Sequence, residues 1–216
     1  FLGLSQLLDK NTIVSANLTL GYAEGYLNDQ YKVIQRDELL TIPGVGTIPV
    51  TNIYRENRPA SRLRGVLQLQ GTHYFSKANA ALDAVVRLSQ DDYGVFSQSL
   101  QLEWRQGLFD KFELTPFFRY YQQSAADFFH NTLNEVNVGT PQRYPDGGGP
   151  NYSADYRLSS MATMSLGLKL RYKMTENLSV STTFEQYEMT GIGDNQAPAA
   201  AYPKASMWTF GVNFLF

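Results

Sequence analysis

The sequence predicts an all-β protein, a transmembrane antiparallel β-barrel of the bacterial outer-membrane type. Three observations lead there. Apolar and polar residues alternate with period 2 along most of the chain, while helix-period patterns are scarce. The connections between alternating segments are short and long by turns, the parity of periplasmic turns and extracellular loops. The chain ends in MWTFGVNFLF, where Trp208, Phe210, Val212, Phe214 and Phe216 share one face.

Composition bounds the alternatives. The 216 residues carry a net charge of −2, which argues against a nucleic-acid partner that would require a basic face. There is no cysteine, so disulfides, thiolate metal sites and a cysteine nucleophile are excluded within this stretch. Mean hydropathy is −0.30 and no window approaches 18 consecutive apolar residues, which excludes a transmembrane helix. A spanning strand needs only alternate residues to be apolar, so a membrane barrel remains open.

Nine strands follow from the alternation, at about 1–8, 12–22, 63–75, 80–90, 95–106, 112–122, 161–174, 178–189 and 206–216. The clearest lies in MATMSLGLKLRYKM, with Ala162, Met164, Leu166, Leu168, Leu170, Tyr172 and Met174 on one face. A spanning strand needs about 9–11 residues, which this segment exceeds. Asp9 to Asn11, Ser76 to Asn79, Gly107 to Lys111 and Thr175 to Asn177 read as tight turns. Residues 23–62, 91–94, 123–160 and 190–205 form the other set, three of them long. Pro116 falls inside a strand and predicts a bulge.

Aromatic residues are expected in two interfacial girdles. Tyr22, Tyr93, Phe96, Tyr120, Tyr121, Tyr187 and Trp208 fall near the long-loop ends. Tyr74, Phe75, Trp104, Phe109, Phe112, Tyr172 and Phe214 fall near the short turns.

The opening FLGLSQLLDK has no signal-peptide features and reads as a strand entered partway. Residues 1–216 are therefore expected to be the C-terminal part of a single barrel domain. Strand parity calls for an odd number of strands before Phe1, in a complete barrel of about 12–16 strands. Outer-membrane lipid and lipopolysaccharide are the expected surroundings. The terminal alternation resembles the strand by which barrel-assembly machinery recognises its clients.

QLLDKNTIVSANLTLGYAEGYLNDQYK, NRPASR at 57–62, THYF at 72–75, LEWRQ at 102–106 and FFRYYQQSAADFF at 117–129 together resemble a family of bacterial outer-membrane proteins defined only as a domain of unknown function. Those proteins are roughly twice this length, and the match covers the whole stretch as their C-terminal half. The resemblance implies a barrel but no activity and no catalytic residues. It also implies an envelope redox role, with a lipoprotein or redox protein as partner, an association rather than a mechanism.

Opposite the apolar faces stand Arg64, Gln68, Gln70, Asp83, Arg87, Gln101, Glu103, Arg105, Glu113, Arg119, Lys169, Arg171, Lys173 and Glu185, the expected lumen lining. A hairpin closed by Gly107 to Lys111 would set Arg105 opposite Glu113 as a cross-strand ion pair. Two readings of the lining stay open. One is a charged channel that favours anions slightly, because Lys169, Arg171 and Lys173 line one strand. The other is a lumen laced with ion pairs that block flow, favoured by opposite charges recurring on neighbouring strands.

Enzyme and metal readings are weaker. His73 sits beside Tyr74 and Phe75 near a short turn and reads as an interfacial residue. His130 with Asp127 in a long loop could activate water as a hydrolase site, though a second carboxylate is wanting. Asp91-Asp92 and Asp146 to Gly149 lack the spacing of a calcium loop, and the glycine run lacks the helix of a phosphate cradle. No catalytic, cofactor or metal residue is expected. The leading expectation is a channel or a membrane scaffold for an envelope complex. The alternatives are a loop-borne hydrolase and a soluble β-sandwich binding module.

Overall fold

A computed structural model describes residues 1–134 and 136–215. Eleven strands form in chain order: β1 (Leu2–Asp9), β2 (Thr12–Glu24), β3 (Val33–Ile42), β4 (Gly46–Arg55), β5 (Ser61–Phe75), β6 (Ala80–Asp91), β7 (Phe96–Leu108), β8 (Phe112–Gln123), β9 (Met161–Lys173), β10 (Leu178–Gly191) and β11 (Lys204–Phe214). Nine make one antiparallel sheet in the order β1-β2-β5-β6-β7-β8-β9-β10-β11, and β3 and β4 pair as a separate hairpin. The nine expected strands are these nine, with ends within two residues. Among the described residues the sheet is not closed: β1 pairs only with β2 and β11 only with β10.

The β3–β4 hairpin was not expected within 23–62. It turns at Pro43 to Val45, with Gly44 and Gly46 in the left-handed region that glycine tolerates. Among the described residues it shares no ladder with the nine strands. Instead it docks on the 123–160 loop: Gln35 bridges Thr132, and Leu133 donates to the Gln35 carbonyl.

Pro116 makes no bulge. The β8–β9 register runs unbroken from Phe112–Tyr172 to Gln123–Met161. The β7–β8 register is the same on both sides of Pro116, from Glu103–Phe117 to Gly107–Glu113, and only the intervening pairs are lost. Proline removes a donor without adding a residue, so the ladder skips and does not slip.

Register fixes two faces. Leu18, Leu67, Leu88, Leu100, Phe118, Leu166 and Gln186 lie on one, and the residues that flank each of them in sequence lie on the other. The first face is apolar and uncovered: Leu166 is 61% exposed, Phe210 77% and Val212 75%. Buried apolar residues gather instead at the long-loop end. Tyr93, Phe128, Phe129, Leu158, Met161 and Tyr202 belong to one cluster, with Tyr121 and Tyr187 packed against it. Ile34, Leu133, Val138 and Tyr152 form another under the hairpin.

These clusters correct the girdle assignment. Tyr121, Tyr187 and Tyr74 fall on the polar face by parity, and Tyr93 is a buried loop residue. Of the apolar-face aromatics, Phe75, Trp104, Phe112 and Tyr172 stand at the short-turn end, whereas Phe118, Phe184, Trp208 and Phe210 lie nearer mid-strand. Phe112 stacks on Tyr172 at 4.7 Å and Phe75 meets Trp104 at 5.3 Å near the short turns, while Trp208 packs on Phe184 at 4.9 Å.

Candidate functional site

All the expected lining residues share the polar face, because each strand pair keeps them in register or an even step away. Val85 and Arg87 of β6, Arg119 of β8, Glu185 of β10 and Met207 of β11 line one concavity of about 630 Å³. On a flat sheet β6 and β11 would stand about 24 Å apart. Sharing a concavity therefore means that the sheet curves with its polar face inward.

Neutral partners hold six of the charged lining residues. Arg87 donates to the Gln68 amide oxygen at 2.6 Å and Arg119 to that of Gln101 at 3.2 Å. Arg64 donates to Ser89 at 3.3 Å and Arg171 to Ser179 at 3.2 Å. Asp83 accepts from Gln70 at 3.0 Å and Thr72 at 2.6 Å, and Glu103 accepts from Gln101 at 2.7 Å. Among the described residues, none of Arg64, Arg87, Arg105, Arg119, Lys169, Arg171 or Lys173 has a carboxylate oxygen within 4.0 Å. Among the described residues the expected lining residues form no ion pairs with one another, and the cross-strand pair on this face is Arg62 with Asp91, at the long-loop end.

Arg105 does not face Glu113. The hairpin closes at Leu108–Phe112, so Gly107 stands opposite Glu113 and the register is two residues from that expected. The turn is Phe109 to Lys111, with Phe109 at φ 52°, and Gly107 belongs to the strand. Glu113 instead lies opposite Arg171 of β9.

At the long-loop end the loops fold over the polar face. Gln123 donates to the carbonyls of Arg157 at 3.0 Å and Ser159 at 2.9 Å, and the Tyr202 hydroxyl meets Ser159 at 2.8 Å. Tyr121, Met161, Tyr187 and Met189, all on the polar face, pack in the loop cluster. The cluster therefore caps one end of the concavity.

NRPASR fastens this cap. Asn57 exchanges backbone bonds with Tyr152, and its amide donates to Gly148 and Pro150 at 2.8 and 2.9 Å. Arg58 donates to Asp155 at 2.6 Å. Its Nε lies 2.8 Å from Glu56 but off the N–H axis, an ion pair without a hydrogen bond. Glu56 also accepts from Ser153 Oγ and the Asp29 N–H. Arg62 pairs with Asp91, whose other oxygen accepts from the N–H groups of Tyr93 and Val95. Burial opposes ionisation of Asp155, but bonds from Arg157 and Arg58 outweigh it and hold the carboxyl below its usual range. Sequence reading did not find Glu56, Ser153 or Asp155. The available signal was the arginine pair of NRPASR, which requires buried acceptors elsewhere.

The hydrolase reading gains nothing from the geometry, since no hydrogen bond joins Asp127 and His130. Burial lowers the His130 pKa, and the His130 backbone N–H donates to the Ser153 carbonyl. His73 lies on the apolar face near the short turns, 2.8 Å from Thr12 and edge-on to Phe75. Asp91 is engaged by Arg62, and Asp146 accepts from the Gly148 N–H at 2.9 Å. Among the described residues no three His, Cys, Asp or Glu side chains converge to hold a metal.

On the edge strand β11, Trp208, Phe210, Val212 and Phe214 share the apolar face and are exposed. Phe216 lies outside the described residues.

A curved antiparallel sheet with one uncovered apolar face and one charged face defines a wall of the outer-membrane β-barrel kind. Solved structures agree. The chain is similar to in-vitro folded OmpT, an outer membrane protein of Vibrio cholerae, with a TM-score of 0.54 at 10% identity, over 95% of this chain and 52% of that one. Outer-membrane-expressed OmpT of Vibrio cholerae gives 0.54 at 12% identity over 94% and 52%, and the trimer form 0.52 at 11% over 94% and 51%. The chain thus spans about half the length of the structures that it matches. The likeness is one of fold alone. No curated protein matches the sequence. The chain belongs to the family described as Protein of unknown function (DUF3570), whose model matches residues 1–213.

Proposed function

We propose that this chain forms the C-terminal part of an outer-membrane β-barrel that works as an ion-conducting channel, with the polar face as its lumen wall. The observation that carries the reading is the row of wall cations held by amides and hydroxyls. Charge left unneutralised along a concave wall attracts mobile anions. The uncovered apolar face supports membrane insertion, since soluble proteins rarely expose contiguous apolar patches of this extent. Among the described residues both sheet edges lack a partner, which lipid does not tolerate, so further strands of the protein are proposed to complete the barrel. The proposed location is the bacterial outer membrane, with barrel-assembly machinery acting on the β11 alternation.

A second reading rests on the cap. Packed loops tied by the Arg58–Asp155 pair narrow one mouth, as a scaffold with an occluded lumen and a lipoprotein or redox partner would require.

Planar-bilayer conductance of the full-length protein tests the first reading. Stable steps with anion preference are expected, reduced when Lys169, Arg171 and Lys173 become Gln. Electrical silence from a correctly folded barrel would overturn it in favour of the scaffold.

A further inference from the structure

Three successive rows of the polar face repeat one arrangement near the short-turn end. Lys169 of β9 lies opposite Thr183 of β10, Arg171 opposite Ser181, and Lys173 opposite Ser179. The next strand, β11, continues the rows with Thr209, Gly211 and Asn213. Cations thus succeed one another about 6.8 Å apart on one strand, beside a rail of hydroxyls about 4.8 Å away on the next.

The parts are arranged to leave donors free. Ser179 accepts from Arg171 Nε at 3.2 Å, which fixes the guanidinium and leaves the serine O–H to donate. Gly211 is not in the left-handed region, so its backbone would admit another residue. A Cβ there would lie 2.9 Å from the Ser181 Oγ. Glycine therefore keeps the Ser181 hydroxyl open beside Arg171. Two adjoining concavities, of about 460 and 170 Å³, share Arg171, Ser179 and Asn213 in their walls. The acidic neighbours are Glu113, opposite Arg171 on β8, Glu185, two residues beyond Thr183 on β10, Glu176 in the β9–β10 turn, and Asp110, which lines a concavity with Lys173. Among the described residues none of the four comes within 4.0 Å of these cations.

We infer that this track is a binding site for small tetrahedral oxyanions, inorganic phosphate being the simplest. Such an anion presents several acceptor oxygens at once and can bridge a guanidinium or ammonium on β9 to a hydroxyl on β10. Chloride uses fewer of these donors. The repeat of three rows gives successive stations, each row handing the anion to the next. The inference rests on the polar face lining a lumen and names the solute that the channel would select.

Titration calorimetry of the full-length protein, folded in detergent, with inorganic phosphate tests the site apart from conduction. Phosphate is expected to bind and sodium chloride at equal ionic strength to give no saturable heat. Arg171→Gln and Gly211→Val should each weaken phosphate by about tenfold, the loss of one charge-assisted hydrogen bond. Heat-modifiable migration confirms that each variant is folded, and Lys173→Gln replaces any that is not. Absence of saturable phosphate binding, or binding unchanged in the folded variants, overturns the site even where the barrel conducts. Phosphate binding in a barrel that does not conduct upholds the site and rejects the channel.

Discussion

Arg58 donates to the Asp155 carboxylate across 2.6 Å, joining positions 97 residues apart. The contact ties the segment entering β5 to the segment entering β9, and Asp155 is wholly buried in it. Removing one partner from a buried pair costs on the order of 3–5 kcal/mol, because the other charge is left uncompensated. Asp155→Ala should therefore free the cap while the sheet stays paired. Hydrogen exchange would show lost protection at Ser153 to Arg157 and unchanged protection in β9 and β10. Protection unchanged in both would show that the pair does not hold the cap.

Acid should loosen the same cap in two stages. Burial lowers the His130 pKa, so its contribution is complete above about pH 6.5 and declines as pH falls. Asp155 is held below its usual range, so its contribution is complete above about pH 4 and is lost as pH falls through the depressed value. Exchange rates in Phe128 to Leu133, corrected for intrinsic pH dependence, should rise in the first stage. His130→Gln should abolish that stage and leave the second.

Gly167 of β9 lies under the Phe117 ring of β8, and a side chain there would occupy the ring's place. Gly167→Val should displace the ring and cost about 1–3 kcal/mol, the range for overpacking a close contact. The drop would appear as a lower temperature of heat-modified migration. Phe117→Ala in the same background should recover part of it, since the collision is then removed.

Leu168 faces out from the middle of β9 and is 45% exposed. In a bilayer, Leu168→Arg should destabilise by about 2–4 kcal/mol, the cost of arginine at the midplane of a barrel's lipid face. Lys169→Gln, one residue along and on the opposite face, should cost far less. Urea unfolding from lipid vesicles measures both.

The nine sheet strands were legible because strand alternation and tight turns are local signals. The β3–β4 hairpin was missed although Pro43-Gly44 marks its turn. Arg36, Asp37 and Glu38 interrupt the apolar alternation of β3, and its buried Ile34 is covered by a distant loop. The Arg105–Glu113 pair failed for a local reason. Gly107 looks like the turn former, but Phe109 takes the positive φ, which an aromatic residue does not advertise. A two-residue slip preserves parity, so the polar face survived the error. The cap was illegible because its bonds span long separations, as from Arg58 to Asp155 and Asn57 to Gly148.

The central claim is that β9 separates lipid from water. The sequence has no cysteine, so a single one can be introduced at each position from 163 to 171 and spin-labelled. In vesicles, oxygen accessibility should peak at positions 164, 166, 168 and 170, and accessibility to a water-soluble nickel chelate at positions 163, 165, 167, 169 and 171. Equal accessibility on both faces, or nickel access at positions 166 and 168, would contradict a membrane-spanning wall.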